Sequence, residues 1–155
     1  MNLQVIADPK NKQVLIHLKL ADKNAKDNIR KALITIGAEH VRHARGLMLK
    51  KKTGRIYNIN GKKHQASAPG EAPAILSGDL KNSVGKNTRG HTEMEFGDKD
   101  MEGKAPYGKF LEEGVKYLLS GHLIKPRPHI GVTVKSQFRN TKISLEEAMA
   151  KSLKI

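Results

Sequence analysis

The sequence lacks cysteine and tryptophan, and tyrosine and phenylalanine together account for only six of its 155 residues. The absence of cysteine excludes disulfide bonds, thiolate metal sites and cysteine nucleophiles. With so few aromatic side chains, the core must consist mainly of Ile, Leu, Val, Met and Ala. We therefore expect a single domain over residues 1–155, with a thin core that gains stability from neighbouring molecules.

Long apolar segments are also absent. No apolar run approaches the roughly 20 residues that a membrane span needs. The N-terminal residues MNLQVIADPK lack the charged region and the apolar region of a secretory signal. We therefore expect a soluble protein that is made in the cytoplasm and does not bind a membrane.

Acidic residues are scarce in the first part of the chain. The net charge is +14, and residues 1–65 carry 15 Lys and Arg against 4 Asp and Glu, a net charge of +11. Residues 66–155 carry 14 against 11, a net charge of +3. A basic half is typical of contact with nucleic acid or with an acidic protein surface, although a merely soluble surface can have the same composition.

The first 49 residues predict a β-hairpin followed by a helix. Apolar residues alternate with polar ones from Val14 to Leu20, and residues 8–11 form a turn with Pro and Asn, so residues 2–20 are predicted to be a hairpin. From Asp22 to Leu49 the apolar residues recur every three or four positions, which predicts one long helix. The apolar stripe of this helix consists of Ile29, Leu33, Ile36, His40 or Val41, Ala44 and Met48.

Glu39, His40 and His43 lie in this helix and invite comparison with a metal site. Histidines three or four residues apart can share a metal ion. However, no third ligand with suitable spacing follows, and the zincin pattern is absent. We therefore predict no metal site and interpret the two histidines as a pair on the helix surface.

Residues 53–76 are predicted to form an arm within the domain. Residues 56–59 lead into Asn60-Gly61, the dipeptide that best suits a two-residue type I′ turn, and residues 62–65 return as the second strand. The following residues, ASAPGEAPAIL, contain prolines that exclude them from a central strand. The arm is therefore a basic hairpin followed by an extended, proline-rich strap.

A short helical turn and a second hairpin follow the arm. Ser77 is predicted to be the N-cap of a turn that extends to Asn82. Residues 84–96 then alternate about Arg89-Gly90, which places Met94 and Phe96 on one face of a hairpin.

The C-terminal third predicts two helices joined by a loop. Residues 105–114 form the first helix, which ends at Gly114 and has an apolar side made of Tyr107, Phe110 and Leu111. Residues 115–125 are predicted to be a loop. Residues 132–153 have helical spacing, and Ser144 with Glu147 resembles a capping box, which leaves a break near Asn140-Thr141 open.

No set of residues predicts catalysis. Glu112 and Glu113 are adjacent, so they diverge around a helix and do not form an acid–base pair. Gly54 to Lys63 lacks the glycine spacing of a Walker loop and the Ser or Thr that would follow its Lys. We therefore predict no enzymatic activity, no catalytic residues and no cofactor. The predicted fold class is α+β: a small antiparallel sheet packed by a long N-terminal helix and a C-terminal helix, with the extended arm.

Four segments in a fixed order resemble one protein family. They are TGRIY (53–57), HQASAPGEAPAILSGDLKNSV (64–84), APYGKFLEEG (105–114) and KPRPHI (125–130). Together they resemble the neck proteins of tailed bacteriophages, the head–tail joining or tail-completion proteins often called minor tail components. The sequence departs from the family pattern at residues 128–131, where Pro-His-Ile-Gly replaces a Pro-Phe-Leu-like segment, and in the longer 115–125 loop.

The resemblance implies a structural virion protein at the head–tail junction. Such proteins form sixfold or twelvefold homo-oligomeric rings with other neck, connector and tail proteins, and the ring lets DNA pass. On this reading, the arm contacts neighbouring subunits through Tyr57, Ile59, Pro69 and Pro73. Contact with DNA or an acidic partner is expected from Lys50, Lys51, Lys52, Arg55, Lys62 and Lys63, with a solvated charge run as the alternative. The alternative function is that of a stand-alone basic nucleic-acid-binding protein.

Overall fold

The computed structural model describes residues 3–7, 14–18, 23–98, 105–116 and 123–153, and the chain has an α+β fold, as predicted. The elements in chain order are β1 (Leu3–Ala7), β2 (Val14–Leu18), α1 (Lys23–Leu49), β3 (Ile56–Ile59), β4 (Lys62–Gln65), α2 (Asp79–Ser83), β5 (Val84–Arg89), β6 (Glu93–Asp98), α3 (Gly108–Glu113), β7 (Val115–Lys116), β8 (Leu123–Ile124) and α4 (Ile130–Leu153).

The largest sheet joins the two hairpins that the alternating patterns predict. Its four strands are antiparallel, in the order β1-β2-β6-β5. β2 pairs with β6 in a register that sets Val14 opposite Phe96 and His17 opposite Glu93. The strands of both hairpins are confirmed, whereas the predicted turn at residues 8–11 lies outside the described residues.

The core lies where α1 packs against β5, β6 and α4. The apolar stripe that predicted α1 is confirmed, since its members are buried except Val41, which is half-buried. Met94 and Phe96 are also buried, and they confirm the predicted inward face of β6. The other buried apolar residues of the core are Ile29, Leu33, Ile36, Ala44, Met48, Leu80, Val84, Ala105, Ile130, Leu145 and Ala148.

Gly37 explains how closely α1 approaches the sheet. A Cβ atom at this position would lie 2.6 Å from the Cδ of Lys86 and 3.3 Å from the Sδ of Met94. A larger residue would therefore require the Lys86 and Met94 side chains to move, or the helix to shift away from β5 and β6.

The predicted start of α2 is wrong by one residue. The N-cap is Gly78, with a left-handed φ of 92°, and it makes no side-chain capping bond. The Ser77 hydroxyl instead donates to Oδ2 of Asp79 at 2.7 Å and accepts the Asp79 amide at 3.3 Å. The hydroxyl therefore bonds Asp79, the first residue of α2, although Gly78 occupies the N-cap position.

Three expectations for the C-terminal third need correction. Residues 115–125 are not wholly a loop, because β7 and β8 pair within them. α4 continues through Asn140 and Thr141 without a break, since Leu145 and Ala148 are buried in the core and keep the next turns helical. The apolar side predicted for α3 is only partly covered: Leu111 packs on the core, but Tyr107 and Phe110 are exposed.

Candidate functional site

The basic hairpin, which we define as residues 54–66, has the turn that its sequence predicts. Asn60 and Gly61 have φ angles of 51° and 76°, and two successive positive angles are the requirement of a type I′ turn. Ile59 pairs with Lys62 next to the turn. At the base, the Gly54 amide donates to the Ala66 carbonyl and the Ala66 amide to the Arg55 carbonyl, each at 3.0 Å. The hairpin is thus closed by its own backbone.

The register of the hairpin sorts its side chains into two faces. Tyr57 pairs with His64, and directly opposed residues of antiparallel strands share a face. The guanidinium carbon of Arg55 lies 5.5 Å from the centre of the Tyr57 ring, on the same side. The Tyr57 face therefore consists of Arg55, Tyr57, Ile59, Lys62 and His64, and the opposite face of Ile56, Asn58, Lys63 and Gln65.

Cations dominate the hairpin and the segment that leads into it. No Asp or Glu occurs between Glu39 and Glu71 in the sequence. The same stretch contains eight cations: Arg42, Arg45, Lys50, Lys51, Lys52, Arg55, Lys62 and Lys63. No residue of β3 or β4 is buried, and the Tyr57 side chain is 47% exposed. The hairpin therefore presents a positive, partly aromatic surface to solvent.

Lys52 departs from the predicted contact residues. Whereas Lys50, Lys51, Arg55, Lys62 and Lys63 are exposed, Lys52 is only 8% exposed. Its ammonium group donates to the Leu47 carbonyl at 2.9 Å, at the C-terminal end of α1, and burial lowers its pKa. The Lys52 charge is thus used within the chain, where it complements the helix dipole.

The predicted arm residues occupy different environments. Tyr57 and Pro69 are exposed, Ile59 is half-buried, and Pro73 is buried. A buried proline contacts its own chain, so Pro73 does not offer a surface to a neighbouring subunit in this conformation. The exposed members lie on the hairpin and at the start of the strap.

The strap, residues 66–76, is fastened to the body of the domain. The Gly70 amide donates to the Pro126 carbonyl at 2.8 Å, and Nε of Arg127 donates to the Ser67 carbonyl at 3.1 Å. Glu71 accepts the Thr53 hydroxyl at 2.6 Å and the Ala68 amide at 2.8 Å. The hydrogen bond from the Thr53 hydroxyl contributes most to lowering the pKa of Glu71.

These bonds connect four sequence segments: residues 53–57, 64–84, 105–114 and 125–130. Thr53 of the first segment bonds Glu71 of the second, and Arg127 of the fourth bonds Ser67 of the second. The Arg127 amide also donates to the Leu111 carbonyl of the third segment at 2.6 Å. Segments that are separated by up to about 70 residues in sequence therefore form one connected unit.

A second polar centre lies inside the domain and was missed by the sequence reasoning. We call Asp98, Glu112 and His129 the latch. Nε2 of His129 lies 3.2 Å from both carboxylate oxygens of Asp98, and Nδ1 lies 3.1 Å from Oε2 of Glu112. The His129 side chain is completely buried, so a substrate cannot reach the imidazole in this conformation.

The latch carries charge in the interior. Burial opposes the charged form of His129, but the interactions with Asp98 and Glu112 outweigh it and raise its pKa from 6.5 to about 9. Burial would likewise raise the pKa of Glu112, yet the bonds from His129 and from the backbone amides lower it to about 2. At neutral pH an imidazolium therefore lies between carboxylates.

Glu112 also closes the N-terminus of α4. Its Oε2 accepts the amides of His129 and Ile130 at 2.7 and 3.1 Å, and its Oε1 accepts the amide of Gly131 at 2.8 Å. These are amides that a helix cannot satisfy by itself, and a carboxylate at this end also complements the dipole. One side chain thus connects α3, α4 and the buried histidine.

The interpretation of His40 and His43 as a surface pair is wrong. His40 is buried, its Nδ1 is 2.8 Å from the Ile36 carbonyl, and its ring meets Phe96 edge to face at 5.3 Å. Burial lowers the pKa of His40. His43 is half-buried, and its Nδ1 is 3.1 Å from the Thr133 hydroxyl. Both histidines therefore contribute to packing around α1.

An apolar groove of about 180 Å³ lies beside the strap and α3. Leu76 and Tyr107 contribute to its walls and are 65% and 40% exposed, and Phe110, one turn after Tyr107, is 47% exposed. The other lining residues include Met48, Ile75, Leu80 and Leu111. Exposed apolar side chains grouped in this way are typical of a surface that contacts another molecule.

In the described ranges, no group of three or more His, Asp or Glu residues is arranged to hold a metal ion. None of the helices in that part of the chain is long and apolar enough to cross a membrane.

Comparisons with protein families, with curated proteins and with solved structures found no match to this chain.

Proposed function

We propose that the protein is a structural component of a tailed-phage neck, a ring subunit that joins or completes the tail and lets DNA pass. The observation that carries the proposal is the meeting of the four family-like segments. They occur in the family's order in the sequence, and hydrogen bonds through Thr53, Glu71 and Arg127 connect them in space. Because these residues hold the four segments together in the fold, the same residues would be needed in any protein that folds in this way, and this gives a physical reason for the motifs to occur together.

The exposed apolar side chains support assembly. Leu76 and Tyr107 line the groove, and Phe110 is exposed one turn after Tyr107. Ile56 and Tyr57 are exposed on the hairpin. A ring subunit must bury surface on its neighbours, and exposed apolar side chains on extended segments supply such surface. The thin core also favours assembly, since contact with neighbouring subunits buries apolar surface that a small domain cannot bury by itself.

The experiment is native mass spectrometry with negative-stain imaging of the purified chain, alone and with its connector and tail partners. We expect rings of six or twelve copies. The double substitution Tyr107→Ser/Phe110→Ser should weaken the ring, whereas Ile34→Ser, at an exposed apolar position on α1, should not. Only monomers under every condition would contradict the proposal.

The basic hairpin favours a second candidate, a stand-alone nucleic-acid-binding protein. The observation behind it is the stretch from residue 40 to residue 70 with eight cations and no acidic residue. This candidate requires tight, salt-dependent DNA binding by the monomer and no assembly with virion proteins. A ring subunit needs only weak contact per copy, because many copies meet the same duplex.

A further inference from the structure

We propose that the basic hairpin binds the sugar–phosphate backbone of double-stranded DNA through its Tyr57 face and Lys63, without reading base sequence. The inference rests on the proposed function for its setting, a channel that DNA traverses. Its physical basis is the hairpin alone, so DNA binding by the hairpin and assembly into a ring can be tested separately.

The first step is positive charge for which the hairpin itself supplies no acidic partner. Arg55, Lys62 and Lys63 are exposed on a hairpin that contains no acidic residue, and Lys50 and Lys51 are exposed just before it. The nearest acid after the hairpin in sequence, Glu71, is occupied by hydrogen bonds from Thr53 and Ala68. The positive charge therefore faces solvent, where phosphates can replace counterions at a gain in free energy.

The second step is the shape of the hairpin. It is a two-stranded ribbon with four-residue strands, roughly 13 Å long at 3.4 Å per residue. A two-stranded β-ribbon fits the major groove of B-DNA, and cations on such a ribbon can contact the phosphates at the edges of the groove. Because the hairpin is closed by its own base and tight turn, it is already ordered before it meets DNA, and little conformational entropy is lost on binding.

The third step is the composition of the Tyr57 face. Arg55 and Lys62 supply cations, and the opposed rings of Tyr57 and His64 lie between them. An arginine that stacks on an aromatic ring keeps its planar donors in place for a phosphate. The phosphates and sugars of DNA accept hydrogen bonds from Tyr and from charged side chains, so the whole face suits a DNA backbone. An acidic protein surface is the alternative occupant.

The test measures binding of a fluorescent 20-base-pair duplex by anisotropy across a salt series, with two unrelated sequences. Lys62→Gln/Lys63→Gln should reduce the affinity at least tenfold near 100 mM salt and make the slope of log K against log salt shallower by about 2. The matched control is Lys135→Gln/Arg139→Gln, which removes the same charge from exposed positions on α4 and should change the affinity less than twofold.

Equal losses in the two variants, no binding by the unaltered chain, or a strong preference for one duplex would overturn the inference. Polyglutamate that binds more tightly than the duplex, with the same dependence on Lys62 and Lys63, would assign the surface to an acidic protein instead. A protein that forms rings but does not bind DNA refutes this inference alone. A protein that binds DNA through the hairpin but never assembles refutes the ring alone.

Discussion

The latch and the basic hairpin use charged residues in opposite ways. In the latch, the imidazole of His129 is buried between Asp98 and Glu112, and its charge is compensated at distances near 3.2 Å. In the hairpin, Arg55, Lys62 and Lys63 are exposed, and the sequence supplies no carboxylate between residues 40 and 70. The compensated charges hold α3 and α4 together, whereas the uncompensated charges are available to a partner.

The difference shows how one small domain can separate stability from binding. A buried ion pair that loses one partner leaves an unpaired charge in the interior, which is costly. An exposed cation that loses its side chain costs the fold little, because water already solvated it. We therefore expect substitutions in the latch to change unfolding, and substitutions in the hairpin to change association.

Glu112→Ala should give the largest effect on stability. The change removes the acceptor of the amides of His129, Ile130 and Gly131 at the start of α4. It also removes one of the two carboxylates around His129. We expect the free energy of unfolding to fall by about 3–5 kcal/mol, measured by urea denaturation at pH 7. The control is Glu147→Ala, at an exposed position of α4, for which we expect a change within about 0.5 kcal/mol. An equal loss of unfolding free energy in the two variants would contradict the role that we assign to Glu112.

Alkaline pH should weaken the fold through His129. Its folded pKa of about 9 lies above its ordinary value of 6.5, so its stabilising contribution is complete below pH 6.5 and is lost as the pH rises through 9. The expected loss is on the order of 3 kcal/mol, from about 1.4 kcal/mol per unit. Glu112, with a pKa of about 2 against 4.5, contributes above pH 4.5 and loses its contribution as the pH falls toward 2.

The measurement is the unfolding free energy between pH 5 and pH 10, with Glu112→Gln as the comparison. The variant keeps an amide oxygen near α4 but removes one carboxylate from the imidazolium. The alkaline midpoint should therefore move to lower pH. A wild-type curve that stays flat between pH 6.5 and pH 9 would contradict a charged His129.

Gly108→Ala should destabilise the latch from the side of α3. A Cβ atom at this position would lie 2.6 Å from Oδ2 of Asp98 and 2.9 Å from Cδ1 of Leu80. Displacing the carboxylate should cost about 1–3 kcal/mol in thermal unfolding. The same substitution at Gly46 of α1 meets nothing within 4 Å and should instead stabilise the helix by up to about 1 kcal/mol. Destabilisation of similar size at both glycines would refute the steric explanation.

The hairpin substitution Lys62→Gln/Lys63→Gln should have the smallest effect on unfolding. Both side chains are exposed, and no capping or ion-pair role in the described part of the chain depends on them. We expect a change within about 0.5 kcal/mol in the same urea experiment. A loss of several kcal/mol would show that the two regions do not divide stability and binding as we infer.

Local patterns predicted the regular elements well. The apolar stripe of α1 and the Asn60-Gly61 turn are local signals, and each was sufficient to predict its element. The inward face of β6 was equally readable, because Met94 and Phe96 alternate with polar residues. The pairing of β2 with β6, by contrast, joins strands about 80 residues apart and leaves no trace in local spacing.

The latch could not be predicted for the same reason. Asp98, Glu112 and His129 come from β6, α3 and the start of α4, and their meeting depends on long-range packing. In the sequence, Glu112 stands out only as the neighbour of Glu113, and adjacent residues diverge around a helix. The one signal in the sequence is His129, a polar residue between Pro128 and the apolar Ile130. A buried histidine requires polar partners, and acidic residues can supply them.

The hairpin's geometry was predictable, but the state of the strap was not. Pro69 and Pro73 indicated an extended segment, and they could not show that Arg127 and Pro126 fasten it to the body. Lys52 likewise was one of three adjacent lysines in sequence, and only the end of α1 distinguishes it from Lys50 and Lys51.

Hydrogen exchange measured by mass spectrometry, with and without a 20-base-pair duplex, tests the division of roles most directly. Peptides that cover residues 105–114 and 123–135 should exchange slowly in both states, because the latch holds them. Peptides that cover residues 53–66 should exchange faster in the free protein and become protected when DNA is added. Protection by DNA at α4 or the latch, with none at the hairpin, would contradict the division of the molecule into a stabilising centre and a binding hairpin.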